Sequence, residues 1–308
     1  MSAHRGAWTA TAAAWIVLPK VALAHTGLPV DAPWWRLWSP DPLIVANLVA
    51  LSVLYAIGLS RLRAVGNRDA AAGGLQPGAF WLAIFALAVA LLSPIEVLAH
   101  ELLWVHMVQH MILMNVAAPL FVIGAPVRVM LWVFPPEDRR FVGRSKRTLH
   151  RRGLPRYLLW QPVTLFLLYA AVLWIWHLPV LYEAALRVPL VHDLQHLMFF
   201  AVSCVFWRVL FDPIGRLRLA RTTAVLYLFL TSLHATILGV FMALAPKLWY
   251  PTYARRTAAW GFDALEDQQL AGYIMWMPAC AAYALVAAVV FANWLREEPP
   301  ESSTPRVP

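Results

Sequence analysis

The chain has 308 residues, 61% of them hydrophobic and 13% charged, with a mean hydropathy of +0.63. Soluble domains carry about 25% charged residues, so water is not its main solvent, and its length accommodates about seven apolar spans with short loops. The net charge of +9 does not point to nucleic acid, because the basic residues fall in the loops between apolar runs and do not interleave with aromatics; the partner they imply is a lipid bilayer, and they report topology.

The N-terminus combines His4-Arg5, an apolar stretch around 12–18 and the small-residue ending Ala22-Leu23-Ala24. This is the pattern of a secretory signal peptide over 1–24, although Lys20 leaves an uncleaved amphipathic start open. A periplasmic N-terminal segment over 25–41 follows, with Trp34, Trp35 and Trp38 suited to a membrane interface. Apolar runs then recur at 42–62, 79–97, 105–133, 162–180, 190–211, 222–245 and 269–294. They predict an all-α, polytopic membrane bundle of about seven transmembrane helices, one domain over 42–296. The connections alternate in Lys/Arg content: Arg61, Arg63 and Arg68 mark the first, none the second, and Arg139, Arg140, Arg144, Lys146, Arg147, Arg151, Arg152 and Arg156 the third. By the positive-inside rule the N-terminus lies outside and the C-terminus inside, and the Pro- and Glu-rich tail over 297–308 is expected to be disordered in the cytoplasm. Cys204 and Cys280 lie in apolar runs without a C-x-x-C spacing, which excludes a disulfide framework or a thiolate zinc site.

The informative residues are polar. Pro94 and Glu96 precede His106-Met107-Val108-Gln109-His110, and Pro179 and Glu183 precede His192-Asp193-Leu194-Gln195-His196 at nearly the same spacing. Two histidines four residues apart share a helix face, and two such pairs on facing helices offer four imidazoles to one or two ions. His177, at the end of the fourth span, lies on the same side. Ionisable groups in a bilayer face the interior, pair with each other or mark a functional path. The expected metal ligands are therefore His106, His110, His192, His196 and His177, with Gln109, Gln195, Asp193 and Glu183 orienting them. Imidazole suits copper, zinc and iron; Met107, Met111 and Met114 on the same helix favour copper as Cu(I). His234 lies near the middle of the sixth span, where it either joins the site or bonds a neighbour such as Thr231 or Ser232.

The run from His106 to Met111, continuing to Ala117-Ala118-Pro119-Leu120 and Gly124-Ala125-Pro126, resembles the multi-pass cytochrome c oxidase assembly factor CtaG family. Trp176-His177-Leu178-Pro179, Leu181-Tyr182-Glu183-Ala184-Ala185, His192-Asp193-Leu194-Gln195-His196, Trp249-Tyr250 and Asp267-Gln268-Gln269-Leu270-Ala271-Gly272 continue the resemblance over about 35–295. It implies a protein of the bacterial inner membrane required for active haem-copper oxidase, with oxidase subunits as partners and room for a periplasmic copper donor. The expected function is an assembly factor for cytochrome c oxidase that binds copper at an outward-facing intramembrane histidine site, with no turnover chemistry. Two alternatives remain open at this point: a bis-histidine haem protein, and a copper permease.

Overall fold

The computed structural model describes residues 33, 37–65, 75–140, 161–211 and 219–296. The expected signal peptide, most of the segment over 25–41, most of the basic third connection and the tail over 297–308 lie outside these residues. Among the described residues every regular element is helical: α1 Pro42–Ala64, α2 Leu75–Leu92, α3 Pro94–Ala99, α4 Leu103–Ile123, α5 Pro126–Met130, α6 Pro162–Trp176, α7 Pro179–Arg187, α8 Pro189–Phe211, α9 Arg221–Ala243, α10 Tyr253–Ala258 and α11 Ala264–Leu295. Of these, α1, α2, α4, α8, α9 and α11 are long and apolar enough to cross a bilayer, and α6 with α7 makes a seventh crossing if the pair, bent by 69°, counts as one. The chain is a multi-pass membrane protein.

Local chemistry sets the helix starts. Asp41 caps α1 by accepting from the Leu43 and Ile44 amides at 2.8 and 3.1 Å, ahead of Pro42 at the first helical position. Asp263 caps α11 in the same way. Two of the expected apolar runs are broken ahead of a proline. The run expected at 79–97 divides at Ser93, whose hydroxyl caps α3 in front of Pro94. The span expected over 162–180 breaks at His177 and Leu178, because Leu178 takes an extended conformation before Pro179.

The span expected over 105–133 also ends early, at Ile123. Gly124 and Ala125 then turn the chain, Ala125 in the left-handed region at φ 47. The turn is buttressed by Tyr55 of α1, which donates to the Gly124 carbonyl at 3.0 Å while its ring stacks on Phe80 of α2. Within α4 the turn Ile112–Ala117 is wound as a π-helix, with the Ala118 amide reaching the Leu113 carbonyl. Continuing that pattern would require an N–H at residue 119, and Pro119 has none. The Met114 carbonyl instead accepts from the Trp207 indole of α8 at 2.8 Å, which ties α4 to α8 in the middle of the bundle.

The main core joins α4, α6, α8, α9 and α11 through Tyr169, Phe199, Phe206, Trp207 and Tyr283. Leu82, Phe85, Leu167, Phe229 and Leu285 are exposed on the perimeter, as lipid contact requires. Helices α9 and α11 approach closely at Gly239 and Gly272. A Cβ on Gly272 would stand 2.5 Å from the Ala243 nitrogen and 2.6 Å from the Gly239 carbonyl oxygen. Overpacking of a tight contact costs about 1–3 kcal/mol. Gly272→Ala is therefore expected to lower the thermal midpoint in detergent, followed by circular dichroism. Gly78→Ala, whose Cβ meets nothing within 4 Å, should leave it unchanged or slightly raised.

Candidate metal centre

His106 and His110 stand on the first two turns of α4, and His192 and His196 on those of α8. The four-residue spacing puts each pair on one helix face. The first turn of α4 starts in a buried setting, and its free amides are taken by a carboxylate 164 residues away in the chain: Asp267 of α11 accepts from Leu103 at 2.8 Å and from Trp104 at 3.0 Å. The chain between α9 and α11, containing α10, lies over this end of the bundle. Gln268 accepts from the Trp249 amide and donates to the Lys247 carbonyl, and Gln269 donates to the Ala245 carbonyl. Glu183 of α7 accepts from the amide and hydroxyl of Thr252, and the Tyr250 hydroxyl donates to the His177 carbonyl at 2.8 Å.

Beneath this cover the imidazoles converge. His106, His110 and His196 offer ligand nitrogens that all lie within 4.8 Å of one another, and all three residues are buried. Ring centroids are 4.3 Å apart for His106 and His110, 5.2 Å for His110 and His196, and 5.7 Å for His106 and His196. His192 is 4.1 Å from His196 and 5.2 Å from His106. The four α4 and α8 histidines are thus one cluster. His177 lies at its edge, its ring 6.4 Å from His110, and falls outside the three-nitrogen group.

Hydrogen bonds decide which nitrogens are available. Burial pushes the Tyr253 phenol up from its ordinary range, so it keeps its proton, and it donates that proton to the Ala99 carbonyl at 2.8 Å. Its oxygen then accepts from His106 Nδ1, 3.0 Å away, which leaves the lone pair on His106 Nε2. The Tyr182 hydroxyl is also 3.0 Å from that Nδ1. His177 Nδ1 lies 2.7 Å from the Leu173 carbonyl, an acceptor only, so its lone pair is also on Nε2. The Nε2 atoms of His106, His177 and His196 and both nitrogens of His110 are buried with no hydrogen-bond partner among the described residues. An unsatisfied buried polar atom costs about 1–3 kcal/mol. Three imidazoles whose ligand nitrogens lie within 4.8 Å of one another fit a transition-metal cation.

The expected orienting residues divide. Gln109 donates to the Ala90 carbonyl and to Glu96, so it steadies a carboxylate instead of an imidazole. Glu183 binds Thr252 and Arg187 and holds the covering loop. Gln195 is fully buried, and neither of its side-chain polar atoms finds a partner among the described residues. Asp193 is half-buried beside His192. His234 does not join the cluster and does not bond Thr231 or Ser232; it packs edge-on against Phe166 and near Tyr169. Met111 Sδ accepts from Asn115 Nδ2, and Met107 and Met114 belong to the apolar core.

Four further residues bear on the site: Tyr253, Asp267, Glu96 and His100. Tyr253 fixes the His106 tautomer, and no periodicity marks a loop tyrosine. Asp267 belongs to a recognised motif, but its work as the α4 cap depends on tertiary contact. Glu96 and His100 form another i, i+4 pair whose spacing was visible; with His192 they make a second group of ligand atoms within 4.8 Å of one another.

A family model described as cytochrome c oxidase caa3 assembly factor (Caa3_CtaG) matches residues 53–297. The chain belongs to this family. Uncharacterized proteins of Mycobacterium bovis and Mycobacterium tuberculosis are each 28% identical to it over 278 residues, covering 88% of this chain and 41% of theirs. One of Mycobacterium leprae is 26% identical over 271 residues, 86% of this chain and 40% of its own. The chain therefore spans about two-fifths of the length of the curated relatives it matches. No solved structure matches it.

Hydrogen bonds to a charged group are worth about 1.5–3 kcal/mol. Asp267→Ala is expected to destabilise the detergent-solubilised protein by about that amount, and Asp267→Asn, which keeps one acceptor, by less; thermal melts of the two variants check the order.

Proposed function

We propose that this assembly factor binds copper through His106, His110 and His196 and helps to metallate cytochrome c oxidase. The observation that carries the reading is the meeting of three buried imidazoles with unpartnered Nε2 atoms inside a membrane bundle. Imidazole sets accept copper, zinc or iron; membership of an oxidase assembly family supports the choice of copper among them. Three neutral ligands hold Cu(I) with a single residual charge, which a low-dielectric site tolerates better than two. Copper is cargo here, and the protein performs no turnover chemistry on it.

The basic residues Arg61, Arg63, Arg139 and Arg140 support a reading, by the positive-inside rule, in which the histidine end of the bundle faces the outer side of the bacterial inner membrane. Copper arriving from the periplasm, directly or from a donor protein, reaches that end first, and the oxidase subunits are the recipients. Phe199, fully buried, packs against both His110 and His177 at 4.7 and 5.9 Å between rings. It forms an apolar floor under the cluster, which favours a holding site over a permease. The haem alternative is disfavoured by crowding, since a porphyrin needs an open slot between its axial imidazoles and these rings are packed against one another.

The test is metal content and optical spectrum of the detergent-purified chain after Cu(I) loading. Bound copper should fall sharply in a His110→Ala/His196→Ala variant and persist in His234→Ala. A Soret band, or copper content equal in all three proteins, would contradict the proposal.

A further inference from the structure

The second ligand group lies closer to solvent than the first. Glu96 and His100 face the same way from α3, and His192 approaches them from the first turn of α8, its ring 4.9 Å from that of His100. The group is held in place. Gln109 donates to one carboxylate oxygen of Glu96, leaving the other 3.7 Å from His100 Nε2. Arg256 fixes the backbone by donating to the His100 carbonyl at 2.8 Å. One carboxylate and two imidazoles are a common transition-metal ligand set with open positions, and the carboxylate neutralises a monovalent cation on arrival.

We infer that Glu96, His100 and His192 form an entry station that captures the metal ion and passes it to the histidine cluster below, with His192 common to both. Exposure sets the direction. The His100 side chain is 40% exposed and that of Glu96 9%, whereas His106 is fully buried. His192 is near neighbour to His100 on one side and to His106 and His196 on the other. The ion leaves Glu96 and His100, is handed on through His192 and ends on His106, His110 and His196, which frees His192 for the next ion. Ligands exchange one for one and the oxidation state of the metal does not change. The transfer step rests on the copper reading of the inner cluster; the entry station does not.

The experiment is Cu(I) titration of the full detergent-purified chain against a chromophoric Cu(I) chelator, with stopped-flow loading rates. The unaltered protein should bind two equivalents. Glu96→Gln and His100→Ala should each bind one and load it about tenfold more slowly or worse, since a carboxylate-lined entrance raises local cation concentration. His110→Ala should also bind one, at the unaltered initial rate. His100→Gln, at a half-exposed position, supplies a second variant whose folding is checked by its size-exclusion profile. One equivalent in the unaltered protein, or stoichiometry and rate unchanged in both Glu96→Gln and His100→Ala, would overturn the entry station. If His110→Ala retains two equivalents while His100→Ala loses one, the inner-site reading fails and the entry station stands.

Discussion

A helix that begins inside a membrane protein has amides that water cannot reach, and the site depends on how α4 solves this. The carboxylate of Asp267 takes the amides of Leu103 and Trp104, which fixes both the height and the rotation of α4 against α11. Those two quantities decide where His106 and His110 point. A rotation of one residue, about 100°, would carry them away from α8. From the other side, the π-turn that ends ahead of Pro119 leaves the Met114 carbonyl to Trp207 and locks the same helix to α8. The two facing histidine pairs are therefore held by a cap at one end and a freed carbonyl farther down.

The electrostatics follow from that placement. Neutral imidazole is the form that a low-dielectric interior tolerates, and each ring has one nitrogen to donate and one lone pair to offer. Tyr253 takes the donor of His106 and the Leu173 carbonyl that of His177, so the protein spends its internal partners on one side of these rings. The lone pairs on the other side stay open toward the cluster. A scaffold whose histidines served only as helix-to-helix glue would instead pair both nitrogens. The Asp267-Gln268-Gln269 run has a single physical theme: the first residue caps α4, and the next two hold the chain that covers the site.

Much of this was legible in the sequence. Apolar runs gave the membrane architecture, and the i, i+4 spacing in His106/His110 and His192/His196 gave the face each pair occupies. Three of the apolar runs break or end short of their expected bounds, because a hydropathy sum does not register the prolines and the turns that precede them. Gly124-Ala125-Pro126, Leu178-Pro179 and Ser93-Pro94 each set a helix boundary inside such a run. The roles of Gln109, Glu183 and Tyr253 were not legible, since each bonds a partner from a distant part of the chain. The two H-x-x-Q-H elements look alike in sequence, yet Gln109 holds Glu96 while Glu183 is taken by Thr252. The repeat extends to the histidines and stops short of their supports.

The central claim is that the inner cluster is a copper site built from imidazole alone. X-ray absorption at the copper edge of the Cu(I)-loaded His100→Ala variant isolates that site. Three nitrogen neighbours at about 2 Å, with the outer-shell scattering of imidazole rings and no sulfur shell, is the predicted result. A sulfur neighbour, or a coordination sphere of light atoms without imidazole scattering, would contradict it.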